Sequence, residues 1–245
     1  MVKLLIFGAT SAIAQAVAKN FAADRADIVL IGRDATRLTA IADDLKVRGA
    51  RDVQHLTADL ADLSGHEALV EKAIGLAGGL DAVLIAHGTL GDQKQSQAKV
   101  EVMLKEMNTN ALSYMSLLTL LGNRMEAQRS GCIAVISSVA GDRGRGSNYV
   151  YGSAKAAVSA FTSGLRARLS KSGVSVVTIK PGFVDTPMTA HVKKGPLFAK
   201  PDAVGKRIYE AMLKGEDVVY VPWFWAPIMQ IIRAVPERVF KRTKL

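Results

Sequence analysis

Seven short runs rich in apolar residues recur along the chain, at 3–7, 27–31, 53–57, 81–85, 132–136, 174–179 and 218–221, and most of the intervals between them are long enough for a helix. Helical stretches read at about 12–23, 35–47, 69–76, 98–127, 149–171 and 201–213, the fourth of them bent near Asn108-Thr-Asn110. Strands that alternate with helices of this length cannot pair as hairpins. They form a parallel sheet, and the helices must cover both of its faces. With 245 residues and 49% hydrophobic side chains, one such domain has enough material for a substantial core. No repeat, low-complexity segment or linker divides it.

The first run breaks at Gly8-Ala-Thr-Ser-Ala-Ile-Ala14, where strand turns into helix. Free backbone N–H groups at such a helix start bind pyrophosphate, and a glycine lets the phosphate come close. The fifth run continues into Ile136-Ser-Ser-Val-Ala-Gly141, and thirteen residues after Ser138 comes Tyr151-Gly-Ser-Ala-Lys155. A phenol and an ammonium four residues apart share one helix face. A cation held near a phenol favours the phenolate, so Lys155 is expected to lower the pKa of Tyr151. The strand-end hydroxyl of Ser138 can meet that phenol at the carboxyl edge of the sheet. The spacing of Tyr and Lys alone is a weak signal; joined to the serine and the glycine turn it points to a catalytic centre.

The net charge of +10 invites a nucleic-acid reading, but no recognition motif accompanies it. Cys132 is the single cysteine, sits in an apolar strand, and reads as a buried thiol in a protein without internal disulfides. The opening Met1-Val-Lys-Leu-Leu-Ile-Phe7 reads as a first core strand rather than a signal peptide, so a cytoplasmic location is expected.

The ordered set Gly8, Asp59, Asn110, Ser138, Tyr151-x-x-x-Lys155 and Pro181-Gly-Phe-Val-Asp-Thr186 resembles the short-chain dehydrogenase/reductase family from Val2 to about Val221. That resemblance implies an α/β, Rossmann-type, doubly wound domain over residues 1–221, with a seven-stranded parallel sheet of order 3-2-1-4-5-6-7. It implies hydride transfer between a nicotinamide cofactor and a carbonyl or alcohol carbon, with no metal. By resemblance Tyr151 is the proton donor, Ser138 steadies the carbonyl oxygen, Lys155 also binds the nicotinamide ribose, and Asn110 holds a relay water at a helix bend, with Asn108 as a nearby competitor. Cofactor contacts fall to Gly8, Thr10, Ser11, Ala12, Ile13, Arg33, Asp59, Leu60, Ala86, His87, Gly88, Tyr151, Lys155, Pro181, Gly182, Val184 and Thr186. Two departures stand out. Ala12 and Ala14 replace two of the usual turn glycines, and Ile85-Ala-His-Gly88 replaces the usual Asn-Asn-Ala-Gly, His87 reading either as a cofactor contact or as a structural residue. Arg33, where an NAD enzyme carries an acid, favours NADP(H); Asp34 next to it leaves NAD(H) open.

Residues 222–245 form an amphipathic, basic tail with both tryptophans of the chain, too short and too Pro-broken to span a bilayer. From Pro227 its apolar residues fall at helical spacing, the pattern of a helix lying in a membrane interface; packing on the domain or on a subunit is the plainer alternative. The tail, the Gly141–Arg145 stretch and the Thr186–Pro196 stretch most resemble the decaprenylphosphoryl-2-keto-ribose reductases, which implies a polyprenyl-phosphate-linked keto sugar, with Arg143, Arg145, Lys193 or Lys194 facing the phosphate. A reductase of fatty or steroidal ketones, and a cofactor-binding sensor without turnover, are the competing readings. The resemblance also implies a homo-oligomer formed through the long helices.

Overall fold

The computed structural model describes residues 1–190 and 192–243. The strands are β1 (Lys3–Phe7), β2 (Asp27–Gly32), β3 (Asp52–Thr57), β4 (Ala82–Ile85), β5 (Gly131–Ile136), β6 (Val174–Pro181) and β7 (Val218–Val221). They form one parallel sheet in the order β3-β2-β1-β4-β5-β6-β7. The chain therefore leaves β1 in one direction as far as β3 and resumes at β4 on the other side, which opens a crevice between the ends of β1 and β4.

Alternation along β1 shows how both faces are buried. Leu4 and Ile6 point into one core with Val17 and Phe21 of α1 (Ala12–Ala23), Leu38 of α2 (Ala35–Val47) and Ile208 of α8 (Pro201–Lys214). Leu5 and Phe7 point into the other, with Val70 of α3 (His66–Ala77), Leu117 of α6 (Ser113–Gln128) and Val158 of α7 (Tyr149–Leu169). A two-sided core of this kind is why the strands read as near-continuous apolar runs rather than alternating ones.

Two boundaries differ from those read in the sequence. A separate α4 (Gln93–Ala98) precedes the long helical region, which runs as α5 (Val100–Met107), a π-helical turn at Asn108–Leu112 where the bend was expected, then α6. Asp92 starts α4 by accepting from the Lys94 and Gln95 N–H groups at 2.8 and 3.1 Å, and the extended Lys99 ends it. The tail helix, α9 (Trp225–Ala234), begins two residues before Pro227, because proline in a first helical turn removes an N–H that has no partner anyway. A short α10 (Glu237–Phe240) follows. No helix among the described residues is long and apolar enough to cross a membrane.

Candidate active site

β5 delivers two consecutive serines to α7, and their side chains diverge. Ser137 Oγ donates to the Lys155 carbonyl at 3.0 Å and lies 2.7 Å from Ser159 Oγ, fastening strand to helix. Ser138 stands close enough to the Tyr151 phenol to favour its ionised form, and its oxygen accepts from the Ala140 N–H at 3.1 Å. Loop and helix can approach this closely because glycines line the contact. A Cβ on Gly141 would lie 2.7 Å from the Ala156 nitrogen, and one on Gly152 2.9 Å from the Ala140 oxygen.

Burial pushes the Tyr151 phenol up to about 12, against the pull of the neighbouring Ser138 hydroxyl. Lys155, 3% exposed, donates to the Ile136 carbonyl at 3.0 Å, and burial brings its ammonium down to about 7. Its Nζ stands 4.3 Å from the ring centre of the buried Tyr114 and 5.9 Å from that of Tyr151. The expected lowering of Tyr151 by Lys155 is therefore corrected. Desolvation dominates both groups and drives each toward its neutral form.

The π-helical turn places Asn110, fully buried, over the Gly88 turn that follows β4. Its Oδ1 accepts from the Thr89 N–H at 3.0 Å, while its Nδ2 donates to Thr89 Oγ1 at 3.2 Å and to Glu106 at 3.0 Å. Gly88 has φ +146°, and a Cβ there would fall 2.6 Å from Asn110 Oδ1 and 3.8 Å from Lys155 Nζ. Asn108 reaches away instead, to the Ala61 carbonyl at 2.8 Å. Asn110 is thus the asparagine that shares the Gly88 turn with Lys155.

At the crevice, Gly8 has φ +83° and presses on the other turn: a Cβ would sit 2.4 Å from the His87 nitrogen. The turn through Thr10 leads to Ser11, whose side chain caps none of the N–H groups at the start of α1, where Ala12 and Ile13 lie. Those donors remain free for an anion. Arg33 is exposed beyond β2 and has no ion-pair partner among the described residues. Asp34 accepts from the Arg37 N–H at 3.0 Å as the cap of α2, so its carboxylate is engaged, and Arg37 Nη2 donates to the Thr10 carbonyl at 3.3 Å. Asp59 is exposed and accepts from the Ala61 N–H at 3.0 Å; Leu60 and Ala86 are buried.

His87 stacks on Tyr114 with ring centres 4.3 Å apart. Ser113 Oγ donates to the Thr109 carbonyl and so accepts from His87 Nε2, 2.7 Å away. Burial, with Lys155 nearby, holds the imidazole neutral well below its ordinary pKa, and its buried Nδ1 has no partner. Pro181 closes β6 and is buried; beyond it Gly182 lies under Trp225, Val184 bridges to Ala199, and Thr186 N–H donates to Thr189 Oγ1 at 3.2 Å. Free amides at a helix start, a crevice between two glycine turns and an unpaired guanidinium at its rim fit a phosphorylated dinucleotide.

Residues 3–196 match the family model described as short chain dehydrogenase. The chain belongs to the short-chain dehydrogenase family. It is an NAD(P)-dependent oxidoreductase of that family. It is 36% identical over 239 residues to an uncharacterized oxidoreductase of Mycobacterium tuberculosis, covering 98% of this chain and 96% of that one. It is 32% identical over 240 residues to an uncharacterized oxidoreductase of Streptomyces coelicolor, covering 98% and 94%. A short-chain dehydrogenase from Sphingobium yanoikuyae in complex with NADPH shares the fold at a TM-score of 0.82 and 24% identity, over 97% of both chains. ElxO with NADP bound shares it at 0.80 and 21% identity, over 90% of this chain and 97% of that one.

What this short-chain dehydrogenase adds lies in its tail. Trp225 and Met229 of α9 pack with Val139, the residue after the site serine. Arg143 is not free to meet a phosphate, which corrects one reading of the sequence. Its Nη1 donates to the carbonyls of Ile232 and Val235 at 2.5 and 2.6 Å, its Nη2 pairs with Glu237 at 2.9 Å, and the guanidinium lies 3.7 Å over Phe240. Arg143 thereby closes the C-terminal end of α9, where carbonyls have no helical partner. Lys194 is likewise engaged, with Asp185 at 2.8 Å. The sequence reading missed Arg37, Glu106, Tyr114 and Trp225. Arg37 alone carried a signal, since it sits in the first turn of a helix capped beside Arg33.

Proposed function

We propose that this protein is an NADPH-dependent carbonyl reductase with Tyr151 as its proton donor. The observation that carries the reading is the meeting of Ser138, Tyr151 and Lys155 beside the Gly88 turn. The nicotinamide, when bound, supplies the hydride. Tyr151 enters reduction as a fully protonated phenol, the state a donor needs. The Ser138 hydroxyl donates to the same carbonyl oxygen and stabilises the charge that develops on it. Lys155, with a pKa near neutrality, picks up and returns a proton at working pH, and Asn110 fixes the turn beside it. Arg33, with Arg37 beside the turn, supports a 2′-phosphate and hence NADPH, and Asp34, engaged as a cap, is unsuited to the NAD role. The NADPH and NADP bound in two structures of the same fold support that preference.

For substrate, a polyprenyl-phosphate-linked keto sugar remains the reading that joins an apolar wall, made by Trp225 and Phe183 (ring centres 5.6 Å apart), to a polar mouth; fatty or steroidal ketones need only the wall. The outward face of the tail favours peripheral contact with an anionic membrane on the cytoplasmic side. Trp223 and Ile231 are 77% and 68% exposed, next to Arg233, Arg238, Lys241 and Arg242. Exposed Val100, Leu104 and Leu112 on the α5–α6 arm favour a homo-oligomer.

Replacing Tyr151 by Phe tests the chemistry. NADPH-driven ketone reduction is expected to fall about 10²–10⁴-fold, the usual contribution of a positioned acid, with NADPH binding by fluorescence unchanged. Unaltered turnover in the variant would remove Tyr151 from the role. An unmodified protein that binds NADPH but reduces no ketone would be the sensor instead.

A further inference from the structure

Several buried polar atoms without partners among the described residues lie on segments that flank the start of α7 and the Ser138 loop, and they come from different parts of the chain. They are Gln93 Nε2 on α4, Arg145 Nε and Asn148 Oδ1 on the β5–α7 connection, and Trp225 Nε1 on α9. Their contacts link the start of α7 to α4 and the β5–α7 connection to α9. Gln93 Oε1 accepts from the Val150 N–H at 3.1 Å, and Asn148 N–H donates to the Arg145 carbonyl at 3.1 Å. Arg145 Nη2 reaches Met229 Sδ at 3.6 Å, one helical turn from Trp225. The Trp225 indole nitrogen lies directly over Gly182, 1.9 Å from where a Cβ would be.

Arg145 is the anomaly. A guanidinium can donate from every nitrogen, yet its one side-chain hydrogen bond among the described residues is to a thioether, a weak acceptor. The acid closest in sequence, Asp142, is already bound by Lys180 and by Tyr220 OH at 2.8 Å. A partly buried cation without an oxygen partner is costly to keep unless a ligand completes it. Arg143, two residues earlier, has carbonyls, a carboxylate and an aromatic ring around it, so the loop is able to satisfy a guanidinium.

We propose that Arg145, with the Trp225 indole N–H and the Gln93 amide, binds an anionic oxygen group, a carboxylate or a phosphate, carried by the ketone that Tyr151 protonates. This rests on the reductase reading and adds a substrate class to it. The cation sets the sign of the ligand, and uncharged donors on neighbouring segments suit the remaining oxygens. Asn148 Oδ1 accepts a neighbouring hydroxyl.

The test uses matched ketones with the full chain and NADPH: 4-oxodecanoate against its methyl ester, and dihydroxyacetone phosphate against dihydroxyacetone. Each pair is followed by NADPH oxidation and by thermal shift of the protein–NADPH complex. The expected result is a kcat/KM at least tenfold higher for one anionic member than for its neutral partner. Arg145→Leu should erase that ratio through KM, and Arg145→Lys should restore part of it. The pair that shows the preference decides between carboxylate and phosphate. Equal kcat/KM within both pairs, or an anion preference that survives Arg145→Leu, would overturn the subsite and leave the reductase standing. An Arg145-dependent thermal shift with an anion but no reduction of any ketone would keep the subsite and sink the reductase. No Arg145-dependent shift and no Arg145-dependent rate with either anion would sink the subsite.

Discussion

The two ends of the carboxyl edge of the sheet treat their cations in opposite ways. Beside β1 and β2, Arg33 stands in solvent, unpaired among the described residues, next to helix-start amides that no side chain caps. Beside β5 and β6, Arg143 is saturated by the end of α9, and Lys180 is paired with the buried Asp142. One end is held ready by single strand-to-helix turns, each a few residues long. The other is assembled by contacts such as those of Arg143, whose partners lie 89 to 94 residues away. A cofactor cradle can be written locally, whereas a substrate wall needs the whole fold.

Arg143→Ala attacks the long-range side of that contrast. Loss of several hydrogen bonds, some to carbonyls otherwise unpaired, should cost about 2–3 kcal/mol. Hydrogen exchange should rise in residues 225–240 while the strands stay protected. Uniform exchange would mean that the tail does not depend on this residue. Arg33→Ala attacks the local side. NADPH affinity should weaken roughly tenfold, the worth of one charge-assisted contact, with little change for NADH; equal losses for both would take the 2′-phosphate away from Arg33.

The smallest effect concerns Lys155. Its folded pKa of about 7 lies below the ordinary 10.5, so between these values the unfolded chain holds a proton that the folded one has lost. Stability should therefore rise with pH across that window, and fall as pH drops toward 7. Tyr151 and Cys132, both pushed up to about 12, act in the opposite sense only at higher pH. Between pH 7 and 8 the gain is about 1 kcal/mol, and urea titrations of the protein and of Lys155→Met should differ by that slope. Parallel pH profiles would show that the lysine is not desolvated as described.

The fold was legible because each strand is a short apolar run and each βα turn carries its own glycine or proline. The set Ser138, Tyr151 and Lys155 was legible for a related reason: strand end and helix face are properties of spacing. Fates decided by partners were not. Arg143 and Arg145 look alike in sequence, and only the position of α9 separates a helix clamp from an unsatisfied guanidinium. Asp34 looked like a ribose acid until its hydrogen bond to the Arg37 N–H made it a cap. The direction of the Tyr151 shift depended on how deeply α7 and the Ser138 loop exclude water, which no spacing rule conveys.

Trp225 also gives the molecule a built-in optical gauge. Only two indoles exist in the chain, and the other, Trp223, faces solvent. With Trp223 replaced by phenylalanine, all remaining indole emission would originate over Gly182, at the rim of the reaction centre. Arrival of dinucleotide or ketone would then be readable from the protein's own light, without a label and without waiting for turnover.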